Sequence, residues 1–352
     1  MRGMLANGQG RGPLPPPANK LRRKKDHDHA IPEKDPRRYD GRPDAAGAII
    51  NTFLPEVTNI GSFTTAVFTS AGANTAIGIQ LFCLGTTLRV RDMGGVVKRG
   101  GVLLISKFVI GAAIGIVVGK VFGPTGVLGL SSLAIISAVT NSNGSIYLAL
   151  MNSYGDTVDQ AAMPLLAIND GPMLTMIAMG IGGLADIPFM ALVAAIGPIL
   201  VGMILGNIDK DLSDFLAPAG TILLPFVGFC LGAGMNLTNI AKGGAQGILL
   251  GLVTCLIGGA FIVLCDRFIS RRPGYAGWAV ATTAGNAVAV PAVIAEADPS
   301  WAQWADVATS QVAASAILTA ILVPIITSWW AKKFGCPKFP KDEAQKALFE
   351  KH

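Results

Sequence analysis

The sequence predicts an all-α polytopic membrane protein, and both its composition and its internal repetition indicate this class. The chain has 352 residues, of which 51% are hydrophobic and 14% are charged, with a mean hydropathy of +0.52. A soluble domain has about a quarter charged residues. The tetrad FCLG at residues 82–85 returns 147 positions later at residues 229–232. We therefore predict two membrane-embedded repeats of similar structure.

Apolar stretches between short charged clusters predict the helices in order, and most are long enough to cross a bilayer. The predicted spans of the first repeat are 74–88, 101–122, 126–151 and 158–182. Those of the second repeat are 187–205, 215–237, 244–269, 274–295 and 301–330. The first repeat has no clear opening helix, since only residues 45–55 are apolar at the corresponding place. We predict ten transmembrane helices arranged as two inverted five-helix repeats, with one interrupted, crossing helix in each.

The predicted organisation is a first repeat over residues 47–184, a second repeat over 185–334 and a cytoplasmic tail over 335–352. Lysine and arginine support this orientation. If the C-terminus is cytoplasmic, the inside connections hold most of the cations, and the outside connections hold only Lys120 and Lys242. That asymmetry is the one expected of a membrane protein. Ten spans also place the basic N-terminal segment inside.

Residues 1–46 are open to two interpretations. They are rich in proline, lysine and arginine, which is typical of a disordered tail. Alternatively, they are an out-of-frame translation of the first helix. Shifted by one nucleotide, the codons of residues 34–47 can encode RIPGGMMVVPMLLG, an apolar helix start that continues directly into AIINTF at 48–53. The intact mass of the native protein distinguishes the two.

A small polar cluster interrupts one span in each repeat, at 140–144 (TNSNG) and at 282–286 (TTAGN). Broken helices at corresponding places in two repeats form the substrate site of secondary transporters. A half-helix N-terminus attracts a carboxylate, and Asn, Ser and Thr side chains supply the donors and acceptors that a polyhydroxylated ligand requires. The predicted substrate-binding residues are Thr140, Asn141, Ser142, Asn143, Gly144, Ser145, Thr282, Thr283, Gly285 and Asn286, with Gln80, Ser310 and Gln311 on neighbouring spans. Alternatively, these side chains satisfy the breaks themselves or join helices.

Asp170 is the predicted proton carrier. It lies 11 residues after Asp159, roughly 16 Å along a helix and therefore close to mid-membrane. An ionisable group at that depth is usually functional. Pro172 has no amide hydrogen, so the carbonyl of Ile168 is left free beside Asn169 and Asp170. We predict a polar pocket of Asn169 and Asp170, with a structural hydrogen bond of Asp170 to a neighbouring helix as the alternative.

Lys107 is another ionisable residue inside a predicted span. It lies roughly 9 Å from the start of its helix. From there it can either pair with Asp170 and take part in proton coupling, or extend to the membrane surface.

Several motifs resemble the 2-keto-3-deoxygluconate permease family, within the broader group of bile acid, arsenite and riboflavin transporters. They are the FCLG-type end of the second span, Ser106-Lys107 in the third, TNSNG at 140–144, GPMLTM at 171–176, GNID at 206–209 and LVPIITS at 322–328. The resemblance implies proton-coupled uptake of the sugar acid 2-keto-3-deoxygluconate across a bacterial inner membrane by alternating access. The family also has an apolar IPGGMM-like start, which the shifted reading frame restores.

The sequence also bears on two other classes of protein, a sodium-coupled carrier and an enzyme. A sodium-coupled organic anion symporter is the alternative, because carbonyl, Asn, Thr and Glu oxygens also suit Na⁺. An enzyme is disfavoured, since His27, His29 and His352 all lie outside the predicted spans. We predict no cofactor, no metal site and no nucleic acid partner. The expected partners are the sugar acid and the lipid bilayer, and the sequence does not predict an oligomeric state.

Overall fold

The structure is a computed structural model that describes residues 42–69, 71–88, 93–233 and 237–350. The predicted segment 1–46 lies almost entirely outside these residues. The helices of the first repeat are α1 Arg42–Phe53, α2 Ser62–Phe68, α3 Ala71–Thr86, α4 Met93–Phe122, α5 Ser132–Thr140, α6 Gly144–Tyr154, α7 Thr157–Ala161, α8 Met163–Leu166 and α9 Pro172–Ile181. Single turns are formed by Pro55–Val57 and Ala167–Asn169.

The second half of the chain is also helical. Its helices are α10 Phe189–Ile208, α11 Lys210–Leu216, α12 Ala219–Ile222, α13 Leu224–Ala233, α14 Leu237–Leu252, α15 Gly259–Phe268, α16 Tyr275–Val280, α17 Val290–Ala297, α18 Ala302–Phe334 and α19 Glu343–Glu350. A π-helical segment, Val253–Gly258, joins α14 to α15, and single turns are formed by Asn286–Ala289 and Pro299–Trp301. The all-helical prediction is confirmed for the described residues.

Five helical segments of the described residues are long and apolar enough to cross a membrane. They are Val97–Phe122, Ser132–Tyr154, Phe189–Ile208, Gly244–Phe268 and Pro299–Phe334. The number rises to seven if each of two bent helix pairs, 62–86 and 157–181, is one span. Two shorter apolar helices, Leu224–Ala233 and Asn286–Ala297, belong to segments that are interrupted. The structure therefore supports a multi-pass membrane protein.

The helices pack in two groups, each of which takes helices from both repeats. The panel group consists of α1–α3 and α10–α13, in which α1 packs on α13 and α3 packs on α10. The core group consists of α4–α9 and α14–α18, in which α4 packs on α5, α14 on α18 and α15 on α16. The turn before α17 contacts α3 and α13, and so brings the core group against the panel group.

Two glycines allow matching close contacts in the panel group. A Cβ on Gly202 of α10 would lie 2.1 Å from the carbonyl oxygen of Phe82, and a Cβ on Gly47 of α1 would lie 2.3 Å from that of Phe229. Both are well inside van der Waals contact, so only glycine fits. Phe82 and Phe229 begin the two FCLG tetrads. The repeated sequence therefore packs in the same way in each half.

A buried ion cluster joins several elements at one end of the core group. The Arg99 guanidinium of α4 donates to Asp159 of α7, with Nε to Oδ1 at 2.7 Å, and also to Asp266 of α15. Arg272 bonds Asp156 at 2.5 Å and Asp159 at 3.3 Å. Both arginines are buried, with 4% and 7% of their surface exposed. Their carboxylate partners come from distant parts of the chain, so the sequence alone does not indicate these pairs.

We predict that Arg99→Met destabilises the protein strongly. It would leave Asp266 and Asp159 buried without their shared guanidinium, and breaking a buried pair in this way typically costs about 3–5 kcal/mol. The measurement is thermal unfolding of the purified protein in detergent. Lys98→Met is the matched control, since the neighbouring Lys98 side chain is exposed. Equal melting temperatures for the two variants would contradict the prediction.

Candidate functional site

The two predicted helix breaks lie against each other in the core group. The first break separates α5, ending at Thr140, from α6, which begins at Gly144. The Asn143 side chain caps α6 by accepting from the Ile146 amide at 3.0 Å. The Asn143 amide donates to Oγ1 of Thr282, in the second break, at 2.8 Å. The two interrupted helices therefore meet at their breaks, as the repeated polar clusters predicted.

A small cavity of about 30 Å³ lies beside this junction. Its lining residues are Asn143, Ser145, Asp170, Gly285 and Asn286 from the core group, and Leu224, Val227, Gly228 and Leu231 from α13 of the panel group. All five core residues are predicted site residues. A cavity of this size holds about two water molecules. Five of the predicted site residues thus line a small space that α13 closes on one side with apolar residues.

Asn286 connects the core group to the panel group. Its Nδ2 donates to Oε1 of Gln80 at 3.0 Å and to the carbonyl oxygen of Asp170 at 3.3 Å. Gln80 in turn donates to the carbonyl oxygen of Gly220 at 2.8 Å. A larger crevice of about 390 Å³, with Glu296 near its rim, lies between α17 and the helices α3 and α10 and also reaches Asn286. Asn286 therefore stands between the crevice and the small cavity.

Asp170 lies at a third helix break rather than inside a continuous helix. Segments Thr157–Asn169 and Pro172–Ile181 are bent by 58° at this point. The prediction of one uninterrupted helix over 158–182 was wrong because Pro172 cannot donate the hydrogen bond that would continue it. Ser142 Oγ donates to Oδ1 of Asn169 at 2.9 Å, which ties this bend to the first crossing break. Asn169 Nδ2 has no hydrogen-bond partner within the described residues.

The remaining residues of the two clusters hold the breaks in place. Thr140 Oγ1 lies 2.8 Å from Thr175 Oγ1, and Asn141 Nδ2 donates to the same oxygen at 3.1 Å. Thr283 Oγ1 lies 2.7 Å from Ser315 Oγ of α18. None of these residues is among those that line the small cavity. Their hydrogen bonds are those expected from the alternative interpretation, and apart from the GPMLTM motif nothing in the sequence pointed to Thr175.

Ser310 and Gln311 are also placed outside the cavity lining. Ser310 Oγ donates to the carbonyl oxygen of Asp306 within α18 at 3.0 Å. Gln311 donates to the Gly129 carbonyl at 2.7 Å and accepts from the Ser131 amide at 3.0 Å. Gln311 therefore fixes the start of α5 against α18.

Lys107 of α4 takes neither of its two predicted positions. Its side chain is 0% exposed, so it does not reach the membrane surface. Its Nζ donates to the carbonyl oxygen of Thr282 at 2.9 Å, and its side chain forms no ion pair with Asp170. Both predicted positions were wrong, because the second break supplies the acceptor instead, whereas a part for Lys107 in proton coupling stays a prediction.

We predict that Thr282→Val destabilises the crossing. The substitution removes the hydroxyl that accepts from the Asn143 amide and leaves a buried donor unsatisfied, at a cost of about 1–3 kcal/mol. Thr327→Val is the matched control, since Thr327 is also 0% exposed and its hydroxyl has no partner among the described residues. Thermal unfolding of both variants measures the difference. A larger loss for the Thr327 variant would refute the assigned role of Thr282.

Comparisons with known proteins show the family of this chain. The sequence profile of the 2-keto-3-deoxygluconate permease family matches residues 43–336. The 2-keto-3-deoxygluconate permease 1 of Salmonella typhimurium is 48% identical over 291 residues, which cover 83% of this chain and 91% of that protein. The corresponding permease of Bacillus subtilis is 38% identical over 293 residues, covering 82% and 88%. That of Tolumonas auensis is 37% identical over 297 residues, covering 83% and 88%. The chain therefore belongs to the 2-keto-3-deoxygluconate permease family, whose members are transporters rather than enzymes.

Proposed function

We propose that this protein takes up 2-keto-3-deoxygluconate together with protons, by alternating access. The observation that carries the proposal is that Asp170 lines the same small cavity as Asn143 and Asn286 of the two crossing breaks. Asparagine side chains at helix breaks suit the hydroxyl groups of a sugar acid. The permease names of the relatives point to the same substrate.

The chemistry of this cavity favours a proton as the coupling ion. The substrate is a carboxylate, and Asp170 brings a second carboxylate to a space of about 30 Å³. Two carboxylates that share one site cannot both stay ionised. A proton on Asp170 removes the repulsion, so sugar acid and proton bind together and leave together.

The proposed architecture is ten transmembrane segments in two inverted repeats. In it, α1 and α10 are equivalent first segments, which is supported by the matching Gly47 and Gly202 contacts. The interrupted segments are α5–α6 and α16–α17. The described part of α1 has 12 residues and extends for about 18 Å, whereas a hydrocarbon core is roughly 30 Å thick. The shifted reading frame, which makes residues 34–47 apolar, would give this segment enough apolar residues to span the core.

The proposed orientation places the C-terminus in the cytoplasm and the protein in the bacterial inner membrane. Lys210 follows α10, so the start of α10 faces outward in this orientation. The crevice of about 390 Å³ contains Ala191 near the start of α10 and Ala297 at the end of α17. It therefore opens outward and offers the substrate a path to Asn286.

Alternating access follows if the core group moves against the panel group. The cavity lies between these groups, with the polar breaks on one side and α13 on the other. Separation on the outer side extends the crevice to the breaks, whereas separation on the inner side connects the breaks to the cytoplasm. Inverted repeats are suited to such rocking around a fixed site.

We predict that Asp170→Asn abolishes proton-driven accumulation but retains exchange. Asparagine resembles the protonated carboxyl, so the variant still binds the sugar acid but cannot release a proton. The measurement is uptake of labelled 2-keto-3-deoxygluconate into proteoliposomes, under an imposed pH gradient and in counterflow. Asp306→Asn is the control, because Asp306 is exposed near the start of α18.

Two outcomes would count against this mechanism. Accumulation by the Asp170 variant that still follows the pH gradient would remove Asp170 as the proton carrier. Wild-type uptake that ignores the pH gradient but follows Na⁺ would select the sodium-coupled organic anion symporter instead.

A further inference from the structure

We infer that the groove between the ends of α6 and α18 binds an anionic phospholipid, with the phosphate at Lys332 and Ser328 and an acyl chain along Leu150 and Ile325. This inference goes beyond the proposed function, because it needs only that the chain lies in a bilayer. It assigns a lipid to a surface of the core group that the proposed transport mechanism does not use.

The α6–α18 groove has a volume of about 560 Å³, which is within the range of ligand pockets. Its lining residues are Leu150, Ser153 and Tyr154 at the end of α6, and Pro324, Ile325, Ser328, Trp329 and Lys332 in the last three turns of α18. Both helices belong to the core group. The groove shares no lining residue with the small cavity and has no wall from the panel group. It is therefore a site of its own.

The mouth of the groove lies on an apolar stripe of α18. Ile317, Ile321, Ile325 and Trp329 follow one another at intervals of four residues, and each side chain is more than half exposed. Residues four apart lie on the same face of a helix. A continuous exposed apolar surface of this kind marks contact with a membrane or another partner. Since Ile325 and Trp329 also line the groove, it opens toward the lipid.

The lining changes from apolar to polar toward the end of α18. Ile325 lies at the apolar end, and Leu150 of α6 lies one turn before the end of its helix. Along α18, Ser328 is about 4.5 Å and Lys332 about 10 Å beyond Ile325. Trp329, between them, is a residue type that is enriched at the level of the lipid head groups. A phospholipid has the same order, with the acyl chains first and the phosphate beyond them.

The polar end of the groove offers two donors to a phosphate. Ser328 Oγ accepts a hydrogen bond from the Tyr154 hydroxyl at 2.9 Å, so the hydrogen of Ser328 is left for another acceptor. The Lys332 ammonium forms no ion pair within the described residues. The next lysine, Lys333, lies instead over the Trp329 ring, with Nζ 4.7 Å from its centroid. Ser328 and Lys332 are therefore both available to an anion.

Charge and shape together select an anionic phospholipid for this groove. Basic pockets between membrane helices are typical sites for anionic head groups. A zwitterionic head group would bring a second cation close to Lys332. Inorganic phosphate or the sugar acid could reach Lys332, but either would leave the apolar half at Ile325 uncovered. An anionic phospholipid complements both halves of the groove.

The test is a titration of the purified protein in non-ionic detergent with dioctanoyl phosphatidylglycerol, followed by the melting temperature. A ligand that binds the folded state raises this temperature. We expect phosphatidylglycerol to stabilise the wild type, and dioctanoyl phosphatidylcholine or inorganic phosphate at the same concentrations not to do so. Lys332→Gln should need roughly fivefold more phosphatidylglycerol for the same shift, because one lysine beside an anionic head group contributes about this factor. Lys332→Arg keeps the charge and should respond as the wild type does.

Lys210→Gln is the matched control, because Lys210 is an exposed lysine at the start of α11 in the panel group and its loss changes the net charge equally. An equal loss of response in Lys210→Gln and Lys332→Gln would overturn the inference, since it would show a general effect of charge. Equal stabilisation of the wild type by phosphatidylcholine or by inorganic phosphate would overturn it as well. A response to 2-keto-3-deoxygluconate that depends on Lys332 would assign the groove to the substrate instead. None of these measurements requires uptake, so the inference and the proposed function fail separately.

Discussion

Every backbone break inside an apolar environment has to find its own hydrogen-bond partners, and the rest of this structure depends on how the two crossing breaks do so. They do it partly through each other and partly through neighbouring helices. The Asn143 amide is accepted by Thr282, and the Thr283 amide is accepted by Thr319 of α18 at 3.0 Å. Because these backbone donors are satisfied within the protein, the side chains of Asn143 and Asn286 can face the cavity.

The two packing groups are held together by different forces. The panel group depends on backbone contact through glycine, such as Gly202 against Phe82. The core group depends on polar cross-links, from the Thr140–Thr175 contact to the buried ion cluster. Separating helices within either group would open a tightly fitted contact or leave buried polar groups unpaired.

The interface between the two groups has apolar side chains on the panel side and a polar bridge at Asn286. On the panel side, α13 presents Leu224, Val227 and Leu231 to the cavity, and these side chains leave no polar group unpaired when they move away. The polar bridge between the groups runs from Asn286 to Gln80. Relative motion of two rigid groups is therefore easier at this surface than deformation inside either of them.

The sequence was sufficient to predict the all-helical class, the two interrupted helices and a polar pocket that includes Asp170. These features leave local signals: apolar length, and polar clusters repeated at a fixed distance. Which polar residues face the cavity left no such signal. Successive residues point in different directions, so Asn141 bonds Thr175 whereas Asn143, two positions later, lines the cavity. The partners of Lys107 and Arg99 come from remote helices, and only the tertiary structure brings them together.

The size of the small cavity indicates that it has to enlarge when a sugar acid binds. About 30 Å³ is far below the roughly 300–1,000 Å³ of ligand pockets, whereas the crevice of about 390 Å³ on the other side of Asn286 falls within that range. In the proposed mechanism, a sugar acid that enters from the crevice would displace the Asn286–Gln80 bridge. Breaking that bridge alone would leave an amide donor and an amide oxygen unpaired in a largely apolar surrounding. Hydroxyl groups of the substrate both donate and accept, so they can replace the bridge on each side. Replacing the Asn286–Gln80 hydrogen bond would cost little free energy for a polyhydroxylated ligand and much for an apolar one. This hydrogen bond would therefore favour entry of a sugar acid over entry of an apolar molecule.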